Sequence, residues 1–320
     1  MRAERKAIVA VTKARTCVIT INYHGAEDTA ACVASLVASV VPLAIVVVDN
    51  TPNDPELEEH LALFPRIKFL RASENLGFGQ GNNLGIDWAL NNTDCEFIFV
   101  FNNDATVESQ TIQLLEEALD EHREAGISCP RIVLTEAPNE LWYGGGEVDW
   151  KRGGGSVPGV FGAAEARLAM LPRHVSFASG CAMMIRCSVL KEEGGFDPRF
   201  FMYEEDLELS LRVQERGSRI WYEPSALVRH IGQSSQKNRA KFIGRFHPQN
   251  PSLAFMVYHS TKNRLLNMRM HARGKNRLTF LSVFPLYLGL KCLQWMIHGR
   301  VDALKSVVSA LRDYREEIGE

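Results

Sequence analysis

A chain of 320 residues with 46% hydrophobic content can bury one large core, or one core with a smaller appendage. Its 36 Lys and Arg nearly balance 38 Asp and Glu, and a formal charge of −2 supplies no overall basic field, which argues against wholesale nucleic-acid binding. Seven scattered cysteines (17, 32, 95, 129, 181, 187 and 292) contain no C-x-x-C pair and read as reduced thiols of a cytosolic protein.

Residues 1–15 read as an N-terminal extension. MRAERKAIVAVTKARTC is basic but holds only a five-residue apolar stretch, too short for a signal-peptide core, so secretion is not expected. From residue 16, β-rich runs alternate with amphipathic segments: TCVITIN, a helix over 26–40, LAIVVVD, PELEEHLALF, IKFLR, a helix in NNLGIDWALNN, and EFIFVFN. Continuous apolar strands separated by helices imply a parallel sheet covered on both faces. The first 135 residues are thus an α/β layer structure. Ligands of such sheets sit beyond the carboxyl ends of the strands, where Asp49 closes LAIVVVD and Asp104 closes EFIFVFNND.

After Pro130 the alternation stops. YGGGEVDWKRGGG (143–155) reads as loop and hairpin, a mobile flap. HVSFASGCAMMIR (174–186) resumes strand character, FFMYEEDLELSLRVQERG (200–217) starts a helix near its acidic cluster, and SRIWYEP (218–224) is a short strand. One main domain is expected over 16–250, followed by a C-terminal helical region, 251–320, with helices over 253–271, 278–297 and 301–314. Six Lys or Arg and no acid lie between Lys262 and Arg277. LTFLSVFPLYLGLKCLQWMI is about long enough to span a bilayer but is interrupted by Pro285, Lys291 and Gln294. It is either a helix packed on the main domain or a peripheral contact with the cytoplasmic leaflet, with Phe280, Phe284, Tyr287 and Trp295 at the interface.

Several polar groups invite two readings each. Asn102, Asn103 and Asp104 suit a helix N-cap or a ligand site; the same holds for Asp49-Asn50, with Asp54 the better cap. SENLGFGQGNNLG (73–85) lacks the third glycine of a dinucleotide fingerprint, with Asn82 in its place, and follows the third strand, which argues against a nicotinamide oxidoreductase. Its glycines form a flexible turn and helix start, or let backbone approach a ligand closely. Glu204, Glu205, Asp206 and Glu208, with Arg212 behind them, form a solvated helix N-terminus. Alternatively, the preceding Phe200-Phe201-Met202-Tyr203 places some of these carboxylates beside apolar surface, where a pKa rises toward base strength. His230 is structural or a ligand.

In order, VITINYHG, VVVDNTPND, ENLGFGQGNNLGI, FVFNNDA, ASGCAMMIR, FFMYEEDLELSLR, RHIGQSS and YHSTKNRLL resemble the inverting family 2 glycosyltransferases of GT-A fold, most closely their rhamnosyltransferase-like branch, over residues 15–270. The resemblance implies a mostly parallel GT-A sheet flanked by helices, with a C-terminal helical extension. It implies transfer of a sugar, rhamnose from dTDP-rhamnose, to a saccharide or lipid-linked acceptor in cell-envelope polysaccharide assembly. The alternatives are another donor such as a UDP-sugar, and a non-catalytic nucleotide-sugar-binding protein. By the same resemblance Asp104 holds Mg²⁺ or Mn²⁺ on the diphosphate, with His230 as a further ligand, because Asn102 stands where many relatives carry a first aspartate. Asn22, Asp49, Asn75, Gly77, Asn83, Asn102 and Asn103 line the nucleotide-sugar site, Asp49 accepting from a pyrimidine N3–H. Asp206 is the base that deprotonates the acceptor hydroxyl, or else its neighbour Glu205. The expected location is cytoplasmic, peripheral on the inner face of the cytoplasmic membrane.

Overall fold

The computed structural model describes residues 13–51, 55–232 and 246–319. Asp54 and the last three residues of RHIGQSS lie outside them. The chain opens with β1 (Thr16–Asn22), α1 (Ala26–Val37), β2 (Leu43–Asp49), α2 (Pro55–Leu61), β3 (Lys68–Arg71), α3 (Gly77–Asn92) and β4 (Phe97–Asn102). These four strands are parallel, in the order β3-β2-β1-β4. The cause is visible in their composition: β1, β2 and β4 are nearly unbroken apolar runs buried on both faces, which only helices on both sides of a sheet can cover.

The second half widens this sheet. It comprises β5 (Ala105–Val107), α4 (Thr111–Glu121), β6 (Ala125–Leu134), β7 (Leu141–Tyr143), β8 (Glu147–Asp149), β9 (Gly154–Ser156), β10 (Arg173–Val175), β11 (Ala182–Arg186), α5 (Cys187–Glu193), α6 (Glu205–Glu215) and β12 (Arg219–His230). The strand order is β10-β12-β6-β11-β4-β1-β2-β3, with β5 added on β12 and β7 on β6. β11 lies antiparallel between β4 and β6, while β6 and β12 are parallel. The Gly-rich segment forms the separate β8–β9 hairpin.

Two sequence expectations need revision. No helix follows Asn102, Asn103 and Asp104: the chain turns there into β5, and α4 begins only at Thr111. The helix-cap reading of these residues therefore falls. The strand starting in SRIWYEP is also longer than expected. It is 12 residues long and runs on through a bulge between Glu223 and Leu227, and its last residue, His230, pairs with Ala105.

Three helices complete the chain, α7 (Leu253–His271), α8 (Gly274–Ile297) and α9 (Val301–Glu317). Residue 250 is not a break in the packing. Met268, Ala272, Phe280 and Phe284 join the same apolar core as the sheet, and Trp295 anchors a second cluster with Leu253, Val257, Ala303 and Val307. Phe280, Phe284 and Trp295 therefore face the protein, contrary to the interfacial role expected of them, and the half-buried Tyr287 packs with them.

α3 approaches β1 closely because its inward face is made of glycine. A Cβ at Gly85 would stand 2.4 Å from Ile19 Cγ2 and 3.3 Å from Val48 Cγ2. Gly85→Ala is expected to destabilise the fold by about 1–3 kcal/mol through overpacking, read as a lower midpoint in urea with an unchanged slope. An unchanged midpoint would show that α3 can back away without loss.

Candidate active site

Strand register brings the first polar residues together. Asn22 pairs with Asp49 across β1 and β2, and Asn102 lies opposite Ile21 on the other side of β1. All three end their strands on the carboxyl edge, the side on which open α/β sheets place their ligands. Asp49 is fully buried. Its Oδ1 accepts from Thr51 N at 3.0 Å and from Asn22 Nδ2 at 3.3 Å, whereas its Oδ2 receives no hydrogen bond, with Arg71 Nε 3.6 Å away. A buried acceptor without a donor costs about 1–3 kcal/mol, which an incoming ligand N–H would recover.

Asn22 is itself held, its Oδ1 accepting from Thr29 Oγ1 and Gly25 N. Asn103 donates to the same Thr29 hydroxyl at 2.9 Å. The half-buried Asn102 has no side-chain partner among the described residues.

The Asn/Gly stretch divides into two roles. Asn50 donates to Asn75 Oδ1 and to the Gly77 carbonyl and accepts from Leu76 N, so it shapes the turn that starts α3. Gly77 has φ +73°, and a Cβ on it would lie 2.2 Å from the Phe201 carbonyl oxygen. Its open side is thus taken up by the chain ahead of α6. Asn83 holds both backbone groups of Phe196, accepting from its N–H at 2.8 Å and donating to its carbonyl at 2.7 Å. Asn83 thus braces the Phe196 backbone, and Gly77 packs against Phe201.

The antiparallel pairing of β5 on β12 places His230 against Asp104. His230 Nε2 lies 3.0 Å from Asp104 Oδ1, both residues are buried, and His230 Nδ1 has no hydrogen-bond partner among the described residues. Trp142 packs edge-on against the imidazole, with centroids 4.6 Å apart. Burial opposes a charge on His230, but Asp104 and Cys181 together outweigh it and lift the histidine well above its ordinary pKa. One carboxylate oxygen and one imidazole nitrogen thus share a spot that could hold a cation. Among the described residues no group of three or more such ligands occurs.

Asp206 stands in the first turn of α6. Its Oδ2 accepts from Gly180 N and its Oδ1 from Leu207 N, each at 2.9 Å. The next carbonyl, that of Cys181, accepts from Asn102 N, also at 2.9 Å. One dipeptide therefore ties the carboxylate of α6 to the end of β4. Burial raises the pKa of the Cys181 thiol, which lies within electrostatic reach of His230, Asp104 and Asp206 together.

The other acids of the cluster differ. Glu205 is buried beside the half-buried Asp206. Glu208 does not acquire the raised pKa expected beside apolar surface. Burial pushes it up, but Arg212 and His271 outweigh burial and hold it below the usual glutamate value.

Residues 17–194, more than half of the chain, match Glycosyl transferase family 2. The chain belongs to that family. Among its relatives is the N-acetylglucosaminyl-diphospho-decaprenol L-rhamnosyltransferase of Mycobacterium tuberculosis, 24% identical over 254 residues that cover 72% of this chain and 80% of the relative. The low-salt glycan biosynthesis hexosyltransferase Agl10 of Haloferax volcanii is 28% identical over 210 residues, covering 63% and 62%. Two solved structures share the fold. GalNAc-T7, crystallised with UDP, GalNAc and Mn²⁺, superposes with a TM-score of 0.59 at 17% identity over 81% of this chain and 48% of its own. Residues 1–349 of S. aureus TarS give 0.53 at 15% identity over 92% and 81%. This glycosyltransferase thus has the expected GT-A architecture, a mostly parallel sheet flanked by helices with helices appended at the C-terminal end.

The start of α6 also rests on residues of α7 to which the sequence assigned no role. Tyr203 and Glu204, just before α6, both have φ +68°, a left-handed conformation costing roughly 1–2 kcal/mol per non-glycine residue. α7 holds them there. Asn263 donates to the carbonyls of Met202 and Tyr203, Asn267 donates to that of Glu204, and Arg264 Nε lies 3.0 Å from Glu204 Oε1 in a buried ion pair. A polar stripe at 260, 263, 264, 267 and 271, buried on α7, was the available signal. Polar residues at helical spacing inside a packed helix require partners.

Asn263→Ala is expected to reduce turnover by about 10- to 100-fold through displacement of the α6 start, with donor affinity unchanged. Steady-state rates beside donor-binding calorimetry separate the two; equal loss in both would make Asn263 a general stability residue.

Proposed function

We propose that this glycosyltransferase moves a sugar, with inversion, from a nucleotide-diphosphate donor to a saccharide or lipid-linked acceptor in cell-envelope polysaccharide assembly, on the cytoplasmic side of the membrane. The observation that carries the reading is the Gly180-Cys181 link, which sets the Asp206 carboxylate across from the polar end of β4. A displacement needs its base and its leaving group on opposite faces of the sugar.

The unsatisfied Asp49 Oδ2 is a buried acceptor suited to the N3–H of a uracil or thymine ring. Asn22 and Thr51 N hold the carboxylate in place for it. Asn75, Asn102 and Asn103 stand beside the same crevice, where their amides can meet ribose and diphosphate oxygens. Gly77 and Asn83 shape its wall from behind.

Asp104 Oδ1 and His230 Nε2 would together hold Mg²⁺ or Mn²⁺, with diphosphate oxygens and water at the remaining positions. Bound there, the cation would offset charge building on the departing diphosphate. The buried imidazole stands in for the first carboxylate that Asn102 does not supply. Asp206 takes the proton from the attacking acceptor hydroxyl, its two backbone hydrogen bonds fixing the orientation of its carboxylate. It is more open than Glu205, which favours it as the base.

For the donor sugar, the Mycobacterium tuberculosis relative supports rhamnose, with dTDP-rhamnose as the nucleotide sugar. A UDP-sugar is the second reading, because an Asp49 contact to N3–H reads uracil and thymine alike. A non-catalytic nucleotide-sugar-binding protein has no use for an oriented carboxylate at Asp206.

Asp104→Ala is expected to weaken donor binding and to abolish its dependence on Mn²⁺ in calorimetry; a folded variant with unchanged metal-dependent binding would falsify the cation site. Asp206→Asn is expected to leave donor binding intact and to lower nucleotide release in the presence of acceptor by roughly 10²–10⁴. Should Glu205→Gln collapse turnover while Asp206→Asn retains it, the base is Glu205.

A further inference from the structure

α8 is apolar on two opposite sides. Its inner side carries Phe280, Phe284 and Trp295, all buried. Phe280 packs over Gly153 of the β8–β9 turn, where a Cβ would stand 2.7 Å from its ring. The outer side carries Leu278, Leu281, Leu286, Leu290, Leu293 and Ile297, which are 51 to 74% exposed. Their spacing of three to five residues makes one stripe roughly 30 Å long at 1.5 Å per residue.

Pro285 and Gly289 lie exposed on the same side, and Pro285 does not break the helix, which is continuous for 24 residues. Ser282 is the polar exposed residue within the stripe. A soluble surface rarely leaves so long an apolar strip uncovered unless something covers it.

Charge at one end of the stripe indicates what that is. Arg273, Lys275 and Arg277 are exposed, and none of the three has a carboxylate partner among the described residues. Lys262 and Arg264, the other end of the basic run, are by contrast spent on Glu317 and Glu204. From Leu278 to Ile297 the segment contains no acid and a single cation, Lys291, which is half-buried and bonded to Gln294. Uncompensated cations beside a flat leucine strip match an anionic bilayer surface, where headgroups meet the cations and the leucines enter the acyl boundary.

A spanning placement fits poorly. α8 is the one helix among the described residues long and apolar enough to cross a membrane, with a mean hydropathy of 1.4, but its aromatic side is already committed to the protein core.

We propose that the outer stripe of α8, with Arg273, Lys275 and Arg277, docks this protein side-on onto a membrane containing anionic lipid. The proposal deepens the reading of a membrane-borne acceptor and rests on it. Because the inner side of the same helix packs on Gly153, docking would hold the β8–β9 hairpin one helix diameter from the lipid surface. The leucines, not the aromatic residues of α8, are the inserting groups.

The test is flotation of the full chain with vesicles of phosphatidylethanolamine and phosphatidylglycerol (3:1), and with phosphatidylcholine alone, in the absence of any nucleotide sugar. Point substitutions are required, because removing the C-terminal helices would also remove Asn263, Arg264 and Asn267. The combined variant Leu286→Ser, Leu290→Ser, Leu293→Ser is expected to partition at least tenfold less than the wild-type chain. Lys275→Glu with Arg277→Glu is expected to remove the preference for phosphatidylglycerol, as 0.5 M salt should in the wild type.

Nucleotide release in vesicle-free solution is expected to be unchanged in both variants, since neither set touches the site. Equal flotation of wild type and leucine variant overturns the proposal. So does a concentration-dependent dimer that the leucine variant dissolves while no form floats, which would make the occupant a second copy. Wild-type protein that stays in the membrane through alkaline carbonate washing would be spanning, and also overturns it. An inactive wild type that still floats in the expected pattern would count against the proposed chemistry and leave the docking surface standing.

Discussion

The two left-handed residues ahead of α6 are the constraint on which the site depends. A chain entering a helix through Tyr203 and Glu204 at φ +68° changes direction abruptly, and that turn presents Asp206 to Gly180 instead of to solvent. Gly180 is joined through Cys181 to Asn102 at the end of β4. Relaxing the turn would therefore move the carboxylate away from the strand end that defines the opposite side of the crevice. The local cost is of the order of a few kcal/mol, and it is offset by donors from α7 on three successive carbonyls and by one buried ion pair.

This dependence makes the C-terminal helices part of the site. Arg264 reaches Glu204, and a Cβ at Gly154 would lie 2.7 Å from its guanidinium. Gly153 makes room for Phe280 and Met268 in the same way, and Gly155 for Phe177. The triple glycine thus lets a hairpin lie directly on α7 and α8. A single framework then connects α6, the hairpin beside it and the helix whose outer side carries the leucines. Buried charge inside such a framework is sensitive to the loss of either partner, so Glu204 and Arg264 act as a unit.

On the donor side the same economy recurs with weaker parts. A site with one carboxylate and one imidazole has less negative charge than one with two carboxylates, and it binds a hard cation less strongly in isolation. In the proposed cation site the affinity would then depend on the diphosphate arriving with the metal, which would couple donor and metal occupancy. The buried Cys181 thiol lies within electrostatic reach of both halves, Asp104 and His230 on one side and Asp206 on the other.

The sequence by itself determined the layered sheet, because unbroken runs such as IVVVD and FIFVF can be covered only by helices on both faces, and strand polarity then sends Asp49 and Asn102 to one edge. It also indicated the three C-terminal helices, although of these only α9 has a marked apolar periodicity. The order of polar stretches pointed to family 2 and to Asp104, His230 and Asp206 as a group. Only tertiary structure decided that His230 meets Asp104, since this needed a strand to run on past its bulge to pair with β5, 126 residues away in sequence. Only tertiary structure separated Asn83, which braces Phe196, from Asn102, whose amide is open, although both are asparagines in equally polar surroundings. It likewise turned the aromatic residues of α8 inward and its leucines outward. An all-apolar helix carries no periodic signal for which side is buried, and the choice falls to whichever side fits the glycines of the neighbouring hairpin.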